Sequence, residues 1–334
     1  MLKAGILYHC GIMVNYQCNA SCRHCLYACS PSRNPGYINE NTAEKVCYIL
    51  RKGGCRSVHI GGGEPFLDFE GLIMMIRALK KNGIILDYIE TNAYWAAEDS
   101  REAKEKLKRL LAEGADTLCI SIDPFHAEYV PCSAPLTLAK LCEDSSNLRM
   151  NYFLWRQEFL SVLSRLDPQK AHSRSDMEKE LSKDYILKTA RQYGIDYGGR
   201  AVCIEEEYNA FFPAENFNAD NSPCKKLLST GHFHVDKDVY FIPPGCTGIR
   251  IPLSQAVNGI PEGKYFAFEA LYNGGIYALM KLAVRNGFSP DNAGYSSKCG
   301  LCFHLRSFLS GKGFEELDKN HYEESVKYRE KKCS

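Results

Sequence analysis

Three cysteines within eight residues constrain this chain more than any other feature. Cys18, Cys22 and Cys25 follow a C-x3-C-x2-C spacing directly after the apolar run 11–14. A shuffled chain with 16 cysteines in 334 residues would give only about 0.04 such matches, so the spacing is not expected by chance. Three thiolates on one loop can hold three corners of a 4Fe-4S cluster and leave the fourth iron open to a non-protein ligand. The alternatives are a structural zinc loop and unrelated buried thiols.

The first half of the chain alternates between predicted strands and predicted helices. Apolar spacing and capping residues predict helices over about 41–52, 69–82 and 100–113. The predicted strands are 11–15, 57–60, 84–90 and 117–122. This order is typical of βα units on a parallel sheet, where ligands gather at the carboxyl ends of the strands. Beyond it, a charged helix is predicted over 178–193 and a strand over 195–204.

Polar motifs follow the predicted strands at their carboxyl ends. Gly62-Gly63-Glu64 joins glycines, which let the backbone approach a ligand closely, to a carboxylate that can accept a hydrogen bond from an ammonium group. Asn92, Ser121 and Asp123 follow the next two strands, although Asn and Asp favour any strand-ending turn. Because these motifs share one edge of the predicted sheet, we expect them to lie close together.

At these residues the chain resembles the radical SAM superfamily, whose members carry C-x3-C-x2-C on the loop after the first barrel strand. The resemblance implies a mixed α/β fold, a partial (β/α)6 TIM-type barrel. It also implies that Cys18, Cys22 and Cys25 hold a 4Fe-4S cluster whose open iron binds S-adenosylmethionine. One electron would cleave this cofactor to methionine and a 5′-deoxyadenosyl radical, which abstracts a hydrogen atom from a substrate. The family usually has an aromatic residue before the third cysteine, and His24 departs from that pattern.

The same resemblance implies which residues contact S-adenosylmethionine. In the family, the Gly-Gly-Glu motif contacts the amino group of the methionine portion, and later strand ends reach the ribose and the carboxylate. The implied cofactor-binding residues are Gly62, Gly63, Glu64, Asn92, Ser121, Asp123 and Arg200. For Arg200, in a Gly-Arg-Ala motif, the alternative is an ordinary surface salt bridge. The resemblance assigns no catalytic side chain.

A second group of cysteines follows a change in composition near residue 206, after which aromatic, Asn- and Pro-containing loops become common. A cysteine, a hairpin-like segment, a second cysteine and a later C-x2-C resemble the auxiliary-cluster extension called Twitch, a relative of the SPASM domain. The implied ligands are Cys224, Cys246, Cys299 and Cys302. Four thiolates would close a second 4Fe-4S cluster, and a structural zinc site is the alternative. The usual hairpin glycine is replaced near Asp238-Val239. We therefore expect a barrel over 8–205 and an extension over 206–334.

Composition limits the partners and the location that we expect. Lys+Arg 41 against Asp+Glu 40 gives no sign of nucleic-acid binding or of an anionic membrane surface. The N-terminal residues lack the apolar core of a signal peptide, and no run is long enough to span a membrane. We therefore expect a cytoplasmic protein whose cysteines bind metal rather than form disulfides. The resemblance also implies a low-potential electron donor of the flavodoxin or ferredoxin type.

The substrate is the least constrained part of the prediction. Relatives with such extensions modify peptides or act on small molecules. Only about ten residues precede the first predicted strand, which favours a small-molecule or short-peptide substrate over one held by an N-terminal leader-binding domain. The competing function is a non-catalytic iron-sulfur or zinc protein that relays electrons. The Gly-Gly-Glu motif argues against it, because an electron carrier needs no site for a cofactor amino group.

Overall fold

The computed structural model describes residues 2–98, 100–143, 150–182, 195, 198–218 and 221–332. The chain divides into two compact units. The first comprises Gly11–Cys22 and Cys29–Gly194, and the second comprises Met1–Cys10, Arg23–Ala28 and Ile195–Ser334. No helix among the described residues is long and apolar enough to cross a membrane.

The first unit is built on a parallel sheet. Its strands are β1 (His9–Met13), β2 (Ser57–Gly61), β3 (Ile85–Thr91), β4 (Thr117–Ser121) and β5 (Asn151–Trp155). They lie in the order β5-β4-β3-β2-β1, and β2 to β5 pair in parallel. Its helices are α1 (Glu40–Lys52), α2 (Phe69–Lys81), α3 (Trp95–Glu98), α4 (Ser100–Glu113), α5 (Ser133–Glu143), α6 (Leu160–Leu163) and α7 (Arg174–Leu181), with 3-10 turns at Pro65–Leu67 and Gln157–Phe159. This open α/β sheet confirms the predicted partial barrel.

Capping side chains fix where the first two long helices begin. The Asn39 side chain accepts a hydrogen bond from the Thr42 amide at 2.9 Å, and α1 starts at the next residue. The Asp68 carboxylate accepts one from the Gly71 amide at 2.9 Å and starts α2 in the same way. Each such cap is worth about 1 kcal/mol. The caps therefore set the lengths of the loops that follow β1 and β2.

The two faces of the sheet differ in chemistry because side chains alternate along each strand. One face is fully buried and aliphatic, with Ile60, Ile89, Leu118 and Ile120 all at 0% exposure. The other face is polar and aromatic. Its residues are His59 on β2, Tyr88 and Glu90 on β3, Cys119 and Ser121 on β4, and Phe153 and Trp155 on β5, matched by the strand register. Of these, Phe153 is 38% exposed and Trp155 is 43% exposed.

The second unit contains short antiparallel strands and a set of helices. The strands are β6 (Phe233–Asp236), β7 (Tyr240–Ile242) and β8 (Ile251–Pro252). The helices are Ala201–Tyr208, Glu215–Asn218, Leu253–Asn258, Phe266–Arg285, Lys298–Ser310 and Lys319–Lys332, with a 3-10 turn at Lys225–Leu228. The helix Phe266–Arg285 is kinked at Gly274 and Gly275.

The β6–β7 hairpin confirms the loss of a glycine that the sequence suggested. Val239 has φ 66°, in the left-handed region that β-branched residues rarely adopt. The Asp236 carboxylate compensates by accepting hydrogen bonds from the amides of Asp238 and Tyr240, at 3.0 and 2.9 Å. The hairpin therefore keeps its turn at the expense of local strain.

The predicted strand over 195–204 is wrong, because Ala201–Tyr208 is a helix. Its first four residues are all buried, with exposures of 6% or less. A short, continuously buried apolar run has the same appearance in a strand and in a buried helix, so periodicity could not separate them. Most of the predicted helix 178–193 lies outside the described residues, and α7 ends at Leu181.

Candidate functional site

The loop after β1 holds the Cys18 sulfur among hydrogen-bond donors. The Cys18 amide donates to the Ser30 carbonyl at 3.2 Å, which fixes the start of the loop. The Cys18 Sγ then faces the amide of Ala20 at 3.4 Å and the Nδ2 of Asn92 at 3.8 Å. Donors of this kind stabilise a metal-bound thiolate. Cys22 is also buried, and Cys25 is half-buried. Cys29 is 2% exposed, as expected for a cysteine that packs as an apolar residue.

Gly62 and Gly63 are required by the backbone that leads into this loop. A Cβ on Gly63 would lie 1.9 Å from the Gln17 carbonyl oxygen, and one on Gly62 would lie 2.5 Å from Asn15 Oδ1. Asn15 fixes the approach, because its Oδ1 accepts from the Gly63 amide and its Nδ2 donates to the Glu64 carbonyl, both at 3.0 Å. The two glycines therefore lock the turn after β2 to the start of the cysteine loop.

Glu64 lies at the centre of a buried hydrogen-bond network. Its Oε1 accepts from the Phe66 amide at 3.1 Å and from the Thr91 hydroxyl at 2.9 Å, and its Oε2 accepts from the Asn92 amide at 2.8 Å. The side chain is 1% exposed, and burial raises the pKa of Glu64 to about 7 despite these donors. The carboxylate thus ties the end of β2 to the end of β3.

The hydrogen bonds of Thr91 make Glu64 the acceptor of the Thr91 hydroxyl proton. The Thr91 oxygen accepts hydrogen bonds from the Ala93 amide and from Trp95 Nε1, both at 3.0 Å. Both lone pairs of the hydroxyl are then used, so its proton must be donated to Glu64. All three partners of Glu64 are donors, so a protonated carboxyl group would carry a proton that none of them can accept. The local hydrogen bonding therefore favours charge at Glu64, while burial opposes it.

Asn92 connects this network to the cysteine loop. Its Nδ2 donates to Asn19 Oδ1 at 2.8 Å in addition to facing the Cys18 sulfur, and its Oδ1 accepts from the Tyr94 amide at 3.1 Å. The side chain is 5% exposed. The structure thus brings together Asn92, Glu64 and Cys18, which the sequence placed at three separate strand ends.

Ser121 and Asp123 follow β4 but differ in their surroundings. Ser121 ends the strand opposite Trp155, on the polar face of the sheet. Asp123 is 0% exposed, and its carboxylate accepts from the amides of Phe125 and His126 and contacts the His126 ring nitrogen Nδ1. Asp123 therefore holds His126 in one orientation. Direct contact of either residue with a cofactor stays a prediction.

Arg200, in the second unit, lies beside the third cysteine of the loop. Its amide donates to the Cys25 carbonyl at 3.1 Å, and a Cβ on Gly199 would lie 2.2 Å from the Leu26 carbonyl oxygen. The Arg200 side chain is 1% exposed, with its guanidinium 5.3 Å from the centre of the Tyr328 ring. Burial excludes the ordinary surface salt bridge that was the alternative.

The four later cysteines all lie in the second unit. Burial raises the pKa of the Cys246 thiol to about 12, and the charge of Arg306 acts against this rise. Burial also raises the pKa of Cys302, and Arg306 again acts against the rise. Four thiols are a donor set that suits an iron-sulfur cluster or zinc.

Local structure explains how two of these thiols are positioned. Cys299 and Cys302 lie in the first turn and a half of the helix Lys298–Ser310, whose N-cap Ser297 accepts from the Gly300 amide. The positive end of a helix dipole stabilises thiolates. Cys224 is held by its amide, which donates to the Leu271 carbonyl at 2.9 Å.

Sequence reasoning missed several residues that the structure places at these sites. Asn15 and Asn19 flank the first cysteine, and only their position at the end of a strand could have suggested a role. His126 is three residues from Asp123, a spacing that a turn brings into contact. Arg306 is four residues after Cys302, so a helix brings the two side chains onto one face. The sequence analysis predicted no helix at these residues, so it gave no reason to place Arg306 beside Cys302.

Comparison with known proteins gives a family match for part of the chain. Residues 12–144 match the family model of the Radical SAM superfamily. The curated relative "Putative peptide biosynthesis protein YydG" from Bacillus subtilis (strain 168) is 27% identical over 123 residues, which cover 37% of this chain and 38% of that protein. The alignment thus spans well under half of the relative's length.

Solved structures give more distant likenesses. Native anSMEcpe with bound AdoMet is 16% identical with a TM-score of 0.41, over 75% of this chain and 79% of that chain. Streptococcus suis SuiB bound to S-adenosylmethionine is 13% identical with a TM-score of 0.43, over 84% of this chain and 75% of that chain. The family uses a 4Fe-4S cluster and S-adenosylmethionine, and the donors around Cys18 fit the first of these. The segment 12–144, which carries the cysteine loop, the Gly-Gly-Glu turn and the first parallel strands, is thus similar to the radical SAM superfamily.

Proposed function

We propose that this chain is a radical SAM enzyme that modifies a peptide. Cys18, Cys22 and Cys25 would bind a 4Fe-4S cluster, and S-adenosylmethionine would bind its open iron. When bound, the cluster and S-adenosylmethionine would together supply the radical chemistry that removes a hydrogen atom from the substrate. The observation that carries the proposal is the hydrogen-bond network that joins the Cys18 sulfur, Asn92 and Glu64.

The chain's own residues would orient the cofactor rather than react with it. The Glu64 carboxylate accepts hydrogen bonds from Thr91 and Asn92 and holds both in place. The Gly62-Gly63-Glu64 turn would therefore offer mainly backbone groups to the methionine portion of S-adenosylmethionine. Asn92 lies next to the Cys18 sulfur, where its amide could also reach a bound ligand. Ser121, Asp123 and Arg200 complete the proposed cofactor-binding residues. In this scheme a change at Glu64 acts on cofactor binding through Asn92.

A peptide is the substrate class that the observations favour. The curated relative carries the name of a peptide biosynthesis protein. On the polar face of the sheet, Phe153 and Trp155 expose more than a third of their surface, and exposed aromatic rings suit the side chains of a peptide. Glu90 lies on the same face, 3.7 Å from His59 Nε2. A small-molecule substrate is the alternative, and the same aromatic wall would then hold a ring.

The four later cysteines are proposed to bind an auxiliary 4Fe-4S cluster. Cys224, Cys246, Cys299 and Cys302 supply one thiolate for each iron, so this cluster would have no open position. We propose the domain division at residue 206, with the barrel over 8–205 and the cluster-bearing extension over 206–334. A low-potential donor of the flavodoxin or ferredoxin type would supply electrons in the cytoplasm.

Formation of 5′-deoxyadenosine tests the proposal. Anaerobically reconstituted and reduced protein should release 5′-deoxyadenosine from S-adenosylmethionine, and Cys22→Ala should abolish the release. Cys29→Ala is the matched control, because Cys29 is a buried thiol on the same loop that is not a proposed ligand. Unchanged release from Cys22→Ala, or none from the wild type with four irons in the loop site, would identify a non-catalytic iron-sulfur protein instead.

A further inference from the structure

We propose that Glu90 makes the enzyme select a peptide substrate that carries a lysine or arginine side chain. The inference rests on the proposed peptide-modifying function and names the chemical class of residue that the same site accepts. Glu90 would be a specificity-determining residue, because its carboxylate would bind the cation of the substrate. It would take no part in the cleavage of S-adenosylmethionine.

Glu90 lies on the polar face of the sheet, next to the last residue of β3. Side chains alternate between the two faces of a strand, so Glu90 shares its face with Tyr88, whereas Ile89 and Asp87 belong to the opposite face. The Glu90 side chain is 45% exposed, while Ile89 is fully buried. A charged group in this position can reach a ligand that lies on the polar face.

The Glu90 carboxylate accepts no hydrogen bond from any residue that the structure describes. His59 Nε2 lies 3.7 Å from Glu90 Oε1, which is too long for a hydrogen bond. Glu64 is the useful comparison, because its carboxylate accepts three hydrogen bonds at 3.1 Å or less. Glu64 is therefore occupied by the protein itself, whereas Glu90 keeps its oxygens available for a donor that the substrate brings.

The last residue of β2 leaves room for this carboxylate. A Cβ on Gly61 would lie 2.7 Å from Glu90 Oε2 and would push the carboxylate away. Gly61 directly precedes the Gly62-Gly63-Glu64 turn, which is proposed to contact S-adenosylmethionine. A substrate cation bound by Glu90 would therefore be held beside the proposed cofactor site, where the hydrogen atom must be removed.

A cation is the partner that this carboxylate lacks. Desolvation raises the pKa of Glu90, the charge of His126 acts against this rise, and the negative charge of Glu64 adds to it. Solvent screens part of these effects, since the side chain is partly exposed. An ammonium or guanidinium group bound to Glu90 would favour its ionised form and form a charge-assisted hydrogen bond. An anionic side chain would be repelled at the same place.

The aromatic rings of the same face suit the hydrocarbon stem of such a side chain. Phe153 packs edge-on against Tyr88, with ring centroids 5.3 Å apart, and is 38% exposed. Lysine and arginine bury their stems along apolar surface and keep the charged head near polar groups, and their cations are attracted to ring faces. The polar face thus offers a surface for the stem and, at Glu90, an acceptor for the head.

Binding of model peptides to the full-length reconstituted protein tests the inference. The probes are acetylated tripeptide amides with phenylalanine at both ends and lysine, norleucine or glutamate in the middle, titrated calorimetrically up to millimolar concentrations. The wild type should bind the lysine probe about tenfold more tightly than the norleucine probe, as expected for a hydrogen-bonded charge. Glu90→Gln should abolish this preference, and Glu90→Lys should reverse it in favour of the glutamate probe.

Two further variants separate the position of the carboxylate from its charge. Asp87→Asn is the matched control, because it removes an acidic group from the opposite face of the same strand, and it should keep the preference for lysine. Gly61→Ala keeps the charge of Glu90 but displaces the carboxylate, so it should weaken the preference. Equal affinity of the wild type for the lysine and norleucine probes, including no detectable binding of either, would overturn the inference.

The dissociation constant for S-adenosylmethionine distinguishes the substrate from the cofactor as the source of the cation. If Glu90 instead bound the ammonium group of the cofactor, Glu90→Gln would weaken binding of S-adenosylmethionine and keep the preference for the lysine probe, which would overturn the inference. A wild type that releases no 5′-deoxyadenosine would instead reject the proposed function. The two failures are distinguishable, because peptide binding is measured without turnover.

Discussion

The cysteine loop and the four-cysteine site use the same ligand in different surroundings. Cys18 faces neutral N–H donors from Ala20 and Asn92. The buried Arg306 follows Cys302 by four residues on the same helix. Neutral donors stabilise a thiolate without fixing a net charge, whereas a cation favours the more negative state. If both sites bind clusters as proposed, the number of thiols would decide whether an iron is open, and the neighbours of the thiols would influence how readily each cluster holds an electron.

The two sites also differ in how the backbone positions the sulfurs. At the loop, Gly62 and Gly63 pack directly on the chain from Asn15 to Gln17, where no side chain would fit. At the four-cysteine site, a capped helix start carries two of the thiols. The conformation of the cysteine loop depends on two glycines that no other residue can replace without a clash. The start of the helix Lys298–Ser310 should keep its conformation when single residues around it are replaced. Predictions for the two sites therefore differ in size.

The largest expected effect separates the two sites by their iron. Wild-type protein should contain about eight irons after reconstitution, and a Cys18/Cys22/Cys25 triple alanine variant should contain about four, since each cluster holds four. Metal analysis with sulfide determination checks this. Loss of all iron from the triple variant would remove the distinction between the sites, and zinc in place of the remaining iron would assign the second site to zinc.

Thr91→Val tests the network that supports the loop. The change keeps the β-branched shape but removes one of the three donors to Glu64 and leaves Ala93 and Trp95 without their acceptor. We therefore expect a loss of about 1–3 kcal/mol in the free energy of unfolding. Urea denaturation of the metal-free protein measures it. Thr117→Val is the control, because within the described part of the chain that hydroxyl donates to the exposed Asp116 side chain alone. A cost as small as the control's would mean that the network does not hold the two strand ends together.

Glu90→Gln should alter the pH dependence of stability. Desolvation raises the pKa of Glu90 from 4.5 to about 7, although its side chain is 45% exposed and solvent screens part of this effect. A raised pKa in the folded state means that its contribution to stability is present below pH 4.5 and is lost as the pH rises through 7. The glutamine variant should therefore lose stability less steeply over that range, and gain relative to wild type at pH 8. Denaturation midpoints at pH 5 and pH 8 measure the difference, and an unchanged slope would contradict it.

The smallest effect is expected at the hairpin that precedes Cys246. Val239→Gly should raise the free energy of unfolding by about 1 kcal/mol, because glycine adopts φ 66° without the strain of a β-branched residue. Val239→Ala retains a Cβ in the left-handed region and should gain less. Thermal melts compare the three proteins. Equal gains from glycine and alanine would place the effect in the side chain rather than in the backbone.

The sequence predicted the parts of the site that depend on local spacing. The cysteine loop, the Gly-Gly-Glu turn and the polar strand ends were all found, because strand ends of a parallel sheet share one edge. The role of Asn15 could not be predicted, since it depends on how closely two backbones approach. Arg306 was missed because an arginine near cysteines is usually read as solvated, and only its burial shows otherwise. The helix Ala201–Tyr208 was mistaken for a strand because all of its first residues are buried.

The most direct test concerns the iron that Cys18, Cys22 and Cys25 would leave open. EPR spectra of the reduced wild type are recorded with and without S-adenosylmethionine, and the spectrum of the triple alanine variant is subtracted to remove the auxiliary signal. The account predicts that the remaining signal shifts when S-adenosylmethionine is added. A signal that is unchanged by S-adenosylmethionine would contradict it, because the fourth iron would then already have a protein ligand.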